Sequence, residues 1–244
     1  MTTAFADWLA LREGADAAAR ATALLPPLQE WLAERPMTVL DAGCGTGSMT
    51  RWLIRRIPRA DRWILNDHDS GLLEIAAHDQ PYAETRLADL SALDLTGITL
   101  LTASALLDIL NADQVERLAD ACAAAGCAAL LTLSVTGEVE LTPPDPADAA
   151  LRAAFNDHQR RSGLLGPEAW HHTTVAFERR GYVVTTAPSP WRLGPADAAL
   201  TAEWYRGWSG AAFEQDPSLP LRSAPHAAVV QHHDLLALPR KPQP

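Results

Sequence analysis

Basic residues are fewer than acidic ones, 20 against 30, and form no long run. The 244 residues carry a formal net charge of −10. Binding nucleic acid without sequence preference needs a positive footprint, so an RNA or DNA substrate is disfavoured. Cysteine is sparse. Cys44, Cys122 and Cys127 fit neither a metal-ligand spacing nor a disulfide framework. That usage predicts a reducing, cytoplasmic setting and no metal site. No stretch of about 18 uninterrupted apolar residues appears, and residues 1–20 show no signal-peptide pattern, so no membrane partner is expected. Internal repeats are absent.

What is present suits one α/β domain with a good core, alone or with a cap. The richest segment is Val39-Leu40-Asp41-Ala42-Gly43-Cys44-Gly45-Thr46-Gly47-Ser48-Met49-Thr50-Arg51-Trp52-Leu53. An apolar strand runs into Asp41, three glycines follow, and an amphipathic helix begins. Glycines let the backbone approach a ligand, and a helix start offers free amides. The spacing is G-x-G-x-G, whereas a dinucleotide fingerprint is G-x-G-x-x-G. Asp41 would repel a pyrophosphate and suits a ligand with an ammonium group.

Along the chain, residues 3–34 read as helices, the second opening at Pro26-Pro27. Strands are expected at 39–40, 63–67, 85–88, 98–103, 128–135, 182–187 and 229–238. Helices are expected at 47–57, behind an Asp69 or Ser70 cap with Leu72, Leu73, Ile75 and Ala76 on its apolar face, at 112–125, at about 147–161, at 167–180 and at 195–213. This alternation predicts a doubly wound, mostly parallel sheet. Ligands in such sheets bind at the carboxyl ends of the strands, beside the switch point.

The Asp-x-Gly-Cys-Gly-Thr-Gly core at residues 41–47 resembles motif I of the class I S-adenosylmethionine-dependent methyltransferases, and the likeness is strong over residues 37–136. The resemblance implies a seven-stranded Rossmann-like sheet of order 3-2-1-4-5-7-6, with strand seven antiparallel. It divides the chain into an N-terminal helical lid, residues 1–36, and a domain of residues 37–244 with cap insertions at about 137–166 and 189–225. The implied cofactor is S-adenosyl-L-methionine, leaving S-adenosyl-L-homocysteine, with no metal. Gly43, Cys44, Gly45 and Gly47 would form its cradle, and Asp41 would hold its ammonium. Asp67 would take the ribose hydroxyls and His68 the adenine face. Asp89 would read the exocyclic amine, beside the Leu90 amide, and Ser104 would face the methionine portion. Each position also has a plainer reading, as a cap or surface carboxylate, an exposed loop histidine or a turn serine.

Methyl transfer from a sulfonium needs alignment, desolvation and sometimes a base. Candidates for the base and its neighbours are His158, Asn156 and Arg160, on a polar helix after the fifth strand; the same pattern suits a solvated face. The adjacent pairs His171-His172 and His232-His233 diverge in direction and read as structural or surface residues. Trp191, Arg192, Trp204 and Trp208, with Tyr205, could hold a planar substrate with an anionic group; cap-helix core is the other reading. Arg12, Asp16 and Arg20, four apart, suit an ion-pair ladder. The expected function is methyl transfer to an oxygen, nitrogen or carbon of a small molecule, as in specialised metabolism, by a monomer or homodimer. Two rivals stand beside it: a non-catalytic S-adenosylmethionine-binding sensor or partner subunit, and a nicotinamide enzyme, against which the third glycine argues. The Asp/Asn-Pro-Pro-Tyr/Phe motif of amino-methylating DNA enzymes and a Cys-x3-Cys-x2-Cys cluster are both missing.

Overall fold

A computed structural model describes residues 2–57 and 60–240. Residue 1 and residues 241–244, the outer ends of the two expected spans, lie outside the described residues. Helix α1 (Thr2–Ala19) and α2 (Leu25–Leu32) precede β1 (Thr38–Ala42), α3 (Ser48–Ile54), β2 (Arg62–Asp67), α4 (Ser70–Asp79) and β3 (Glu84–Leu87). Then come β4 (Leu100–Ser104), α5 (Ala112–Ala125), β5 (Ala128–Thr142), α6 (Asp148–Gln159) and α7 (Ala169–Arg179). The chain closes with β6 (Tyr182–Pro188), β7 (Trp191–Leu193), α8 (Ala198–Gln215) and β8 (Ala227–Pro239).

Local chemistry sets several boundaries. Asp69 caps α4 by accepting the Gly71 and Leu72 amides. Asn111 and Gln114 form a reciprocal capping box on α5, and Gly126 ends that helix in the left-handed region. The central strands read as continuous apolar runs because helices cover both faces of the sheet. Leu40, Leu101 and Leu131 pack with Leu118 and Phe177 on one side. Val39, Leu100 and Leu130 pack with Leu28, Trp31 and Leu53 on the other. Of the two N-terminal helices, α2 is thus a core element and α1 stands over the carboxyl ends of the strands.

The sheet has eight strands, not seven. Its order is β3-β2-β1-β4-β5-β8-β6, with β7 also paired to β8. Strands β1 to β5 are mutually parallel, and β8 runs antiparallel to β5, β6 and β7. The extra strand arises because the β6 edge is broken once. Pro190 has no N–H to donate into a ladder, so pairing stops at Pro188↔His233 and resumes at Trp191↔Val230. Strand β5 also runs past the expected end at 135. Irregularities between Leu131 and Ser134, and between Val135 and Val139, bend it while it keeps its partner to Thr142↔Ala227. Residues 137–142 therefore continue the sheet at the point where an insertion was expected. On this extension α6 and α8 build a separate core with Leu141, Leu151, Trp191, Tyr205, Trp208 and Val230.

One carboxylate ties these irregular pieces together. Asp234, 1% exposed on β8, accepts the Leu133 amide at 2.8 Å, the Ala21 amide at 2.7 Å and the Ser189 hydroxyl. Each donor lies where a regular ladder has failed: a left-handed residue in β5, the chain just past α1, and the β6–β7 break. Asp234→Ala strands two buried amides, so we expect a loss of roughly 2–4 kcal/mol in denaturant unfolding. Asp234→Asn should lose less, because its carbonyl can still serve the Leu133 amide. Equal stability in both variants would remove this role.

Candidate cofactor and acceptor site

A cavity of about 520 Å³ opens at the carboxyl ends of β1, β2 and β4. It begins at the turn after β1. Gly43, Gly45 and Gly47 take φ values of 63°, 54° and 85°, all left-handed. A Cβ on Gly47 would stand 1.9 Å from the Gln80 amide nitrogen, which itself donates to the Gly47 carbonyl at 3.3 Å. Gly47 is therefore fixed by packing against the end of α4, while Gly43, Cys44 and Gly45 line the cavity. A Cβ on Gly45 would stand 3.0 Å from Leu9 of α1. The Cys44 thiol is pushed far up by burial and by the Asp41 and Asp67 charges, so it stays protonated and is no nucleophile.

Two carboxylates face this turn. Asp67, at the end of β2, accepts the Gly45 amide at 2.8 Å and the Asp69 amide at 3.0 Å. A carboxylate has about four lone-pair sites, so acceptor capacity remains on the cavity wall. Asp41, 1% exposed, accepts the Thr102 hydroxyl at 2.8 Å and the Thr50 hydroxyl at 2.9 Å. Burial pushes its carboxyl up to about 6, against the pull of those two hydroxyls and of Arg20. His68 stands on the rim, its side chain 79% exposed, with Nδ1 3.4 Å from Asp67.

Arg20 breaks the expected ladder. Arg12 and Asp16 do pair, with Nε 3.0 Å from Oδ2. Arg20, 2% exposed, instead turns inward and donates to Ser48 at 3.1 Å and Ser104 at 3.2 Å. Its Nε and Nη1 are buried without partners. Both serines line the cavity, so a buried cation lies directly behind them. Burial lowers its pKa, while Asp16, Asp41 and Asp234 oppose the shift. The fourfold spacing gave no hint of this inward turn, because a helix end lies between Asp16 and the loop that follows.

Not every expected residue reaches the cavity. Asp89 is exposed and caps the turn Leu90–Ala92 by accepting the Ser91 amide at 2.8 Å. Neither it nor Leu90 is part of the cavity wall. His158 pairs with Glu214 at 3.1 Å, Asn156 donates to the Gly137 carbonyl at 3.1 Å, and Arg160 pairs with Glu168 and Asp157. Phe155, one step of about 100° around the helix, is the α6 residue that faces the cavity. Trp191, Trp204 and Trp208 line it too, but Arg192 points outward, as strand alternation between two buried neighbours requires.

Residues to which the sequence assigned no place in the cofactor or acceptor site complete the wall. Trp8, Arg12 and Asp16 enter from α1, Asp108 from the turn after β4, and His232 from β8. Asp16 accepts the Trp191 indole N–H at 3.0 Å, and the Arg12 guanidinium lies 4.9 Å from the Trp191 ring centre. His232 is 3% exposed. Burial and the Arg12 charge bring its pKa down to about 3, which holds it neutral. These groups come from three elements far apart in sequence, so no local pattern announces them. Among the described residues no group of three or more His, Cys, Asp or Glu could hold a metal ion. Among them, too, no helix is long and apolar enough to cross a membrane.

Residues 39–128 match the family model of a methyltransferase domain. No curated protein sequence matches the chain. Among solved structures, the YcgJ protein from Bacillus subtilis is similar with a TM-score of 0.55 at 13% identity, over 91% of this chain and 100% of that one. The N-methyltransferase NodS from Bradyrhizobium japonicum, in complex with S-adenosyl-L-homocysteine, gives a TM-score of 0.48 at 10% identity, over 89% of this chain and 86% of that one. Likeness at such identity speaks to the fold, and the family match speaks to the glycine turn and the strands around it. Residues 39–128 thus match a methyltransferase domain, and the chain around them shares the fold of the YcgJ protein.

Proposed function

We propose that the protein transfers a methyl group from S-adenosylmethionine to an oxygen, nitrogen or carbon of a small molecule. The observation that carries this reading is continuity. One cavity of about 520 Å³ joins the glycine turn and Asp67 to the aromatic wall of Trp191, Trp204 and Trp208. Its size lies within the roughly 300–1,000 Å³ of small-molecule sites. A protein that only sensed the cofactor would have no use for that second half.

The residues present suit the cofactor. Asp67 keeps acceptor capacity for ribose hydroxyls, and Asp41 offers a carboxylate to an ammonium. The orphaned donors and charge of Arg20, behind Ser48 and Ser104, favour a carboxylate nearby. When bound, S-adenosylmethionine supplies an electrophilic methyl on a sulfonium. The chain's own work is to align an acceptor and exclude water. Trp8 on α1 and the α8 tryptophans provide that enclosure. His158 is engaged with Glu214 away from the wall, so no proton is assigned to it.

Asp67→Ala removes both the ribose acceptor and the anchor of the Gly45 amide. Titration calorimetry with S-adenosylhomocysteine should show a loss of roughly 2–4 kcal/mol, tens- to several-hundred-fold. Unchanged affinity would take Asp67 out of the site.

Asp41 predicts a pH dependence. An ammonium pairs with the ionised carboxylate only, and burial holds that carboxyl at about 6. Protonation therefore competes with binding, and affinity falls as pH drops through about 6. S-adenosylhomocysteine affinity should be level above pH 7 and fall towards tenfold per unit at lower pH. In Asp41→Asn the curve should flatten. A flat wild-type curve down to pH 5 would contradict the assignment.

A further inference from the structure

The acceptor half of the cavity has a definite chemistry. Its walls are flat rings. Trp204 and Trp208 on α8 stack with centres 5.7 Å apart at 27°, and Phe155 on α6 stands 5.8 Å from Trp208. Trp8 meets Trp191 edge-on at 6.4 Å. Rings in this arrangement offer flat apolar faces and edges that suit a planar guest.

Positive charge is scarce there. Among the described residues Arg12 is the sole arginine or lysine on the wall. It is held by Asp16 through Nε, at 3.2 and 3.0 Å to the two oxygens, and by Nη2 at 3.2 Å, and it also lies against Trp191. His232 is neutral. An anionic guest finds no free cation, and a protonated amine has no lone pair with which to take a methyl group.

Asp108 is different. It lies at the turn Leu107–Ile109, four residues beyond Ser104, enclosed by protein yet open to the cavity. Its side chain has one long partner, the Gln159 amide, at 3.4 Å to Oδ2. A half-buried carboxylate with one long side-chain partner keeps acceptor capacity towards the cavity. Burial also raises its pKa, against the pull of its own backbone amide and of Arg12, which makes it a better proton acceptor than an ordinary aspartate. One buried polar atom on the same wall has no partner, the Trp208 indole N–H.

We propose that this cavity binds a planar, uncharged aromatic acceptor bearing a hydroxyl or an aromatic amine, and that Asp108 is the catalytic residue that receives its proton. The inference rests on the methyl-transfer reading above. The new bond joins the acceptor oxygen or nitrogen to the methyl carbon. The carbon–sulfur bond breaks with its electron pair left on sulfur. The acceptor's proton passes to the Asp108 carboxylate and from there to water at the cavity mouth. No further reactant is needed.

The probes are 2-naphthol and naphthalene, which share a planar body and differ by one hydroxyl. Each is titrated by equilibrium dialysis into the full chain saturated with S-adenosylhomocysteine. Naphthol should bind saturably and at least tenfold more tightly than naphthalene, as a hydrogen bond to a charged acceptor implies. Asp108→Asn should remove most of that preference while naphthalene and S-adenosylhomocysteine bind as before, which also shows that the variant folds. Trp204→Ala should weaken both probes alike. Equal binding of the two probes, an unchanged preference in Asp108→Asn, or no saturable binding of 2-naphthol to the saturated protein would each overturn the proposal. Failure of S-adenosylhomocysteine itself to bind would overturn the methyl-transfer reading and this inference with it.

Discussion

The Gly45 amide donates to the Asp67 carboxylate at 2.8 Å, and much of the site depends on that one bond. It joins the turn after β1 to the end of β2, and so fixes a loop that has no regular structure of its own. The loop can take that path only because its glycines accept left-handed φ values, and Gly47 is held from behind by Gln80. Once the loop is fixed, Leu9 packs over it, Ser48 meets Arg20, and Thr50 reaches back to Asp41. The Asp41 charge is tolerable in the core only with Thr50 and Thr102 both donating to it. The cofactor half of the cavity is thus a network of satisfied backbone and hydroxyl groups with one buried cation left partly unpaired.

The acceptor half follows from a different departure from regularity. Strands β5 and β8 outrun the rest of the sheet and stay paired to Thr142↔Ala227. That extension gives α6 and α8 a surface to pack on and brings their aromatic rings over the strand ends. Bending β5 leaves the Leu133 amide without a ladder partner, and Asp234 answers it together with the Ala21 amide and the Ser189 hydroxyl. Helix α1 then closes over both halves. It is fastened by Arg51 to Glu13 at 2.6 Å and by the Trp52 indole to the Ala17 carbonyl at 3.1 Å. Cofactor and acceptor therefore share one enclosure, with α1 common to both.

The parts legible in the sequence are those governed by local rules. Strand–glycine turn–helix at residues 39–53, the carboxylates ending β1 and β2, and the alternation that dictates a doubly wound sheet all appear as neighbours in the chain. The eighth strand was hidden because it depends on where a proline interrupts an edge. Strand β5 was expected to end at 135, whereas the left-handed φ of Gly137 lets the strand bend and continue. The choice of His158, Asn156 and Arg160 rested on polarity, but the helix phase on the cap core turns Phe155 inward and leaves those groups to ion pairs and to Gly137. Asp108, Arg12, Asp16 and His232 were out of reach for a plainer reason. Tertiary packing brings them to one wall from three regions of the chain.

The central claim is that a single cavity holds the methyl donor at the glycine turn and the acceptor against the aromatic wall. A crystal structure of the protein with S-adenosylhomocysteine tests it most directly. The account predicts ribose hydroxyls within hydrogen-bond distance of Asp67, the ammonium end towards Asp41, and the sulfur facing the space beside Asp108, Trp204 and Trp208. Ligand bound away from the Gly43–Gly45 turn, or a sulfur directed away from that space, would contradict it.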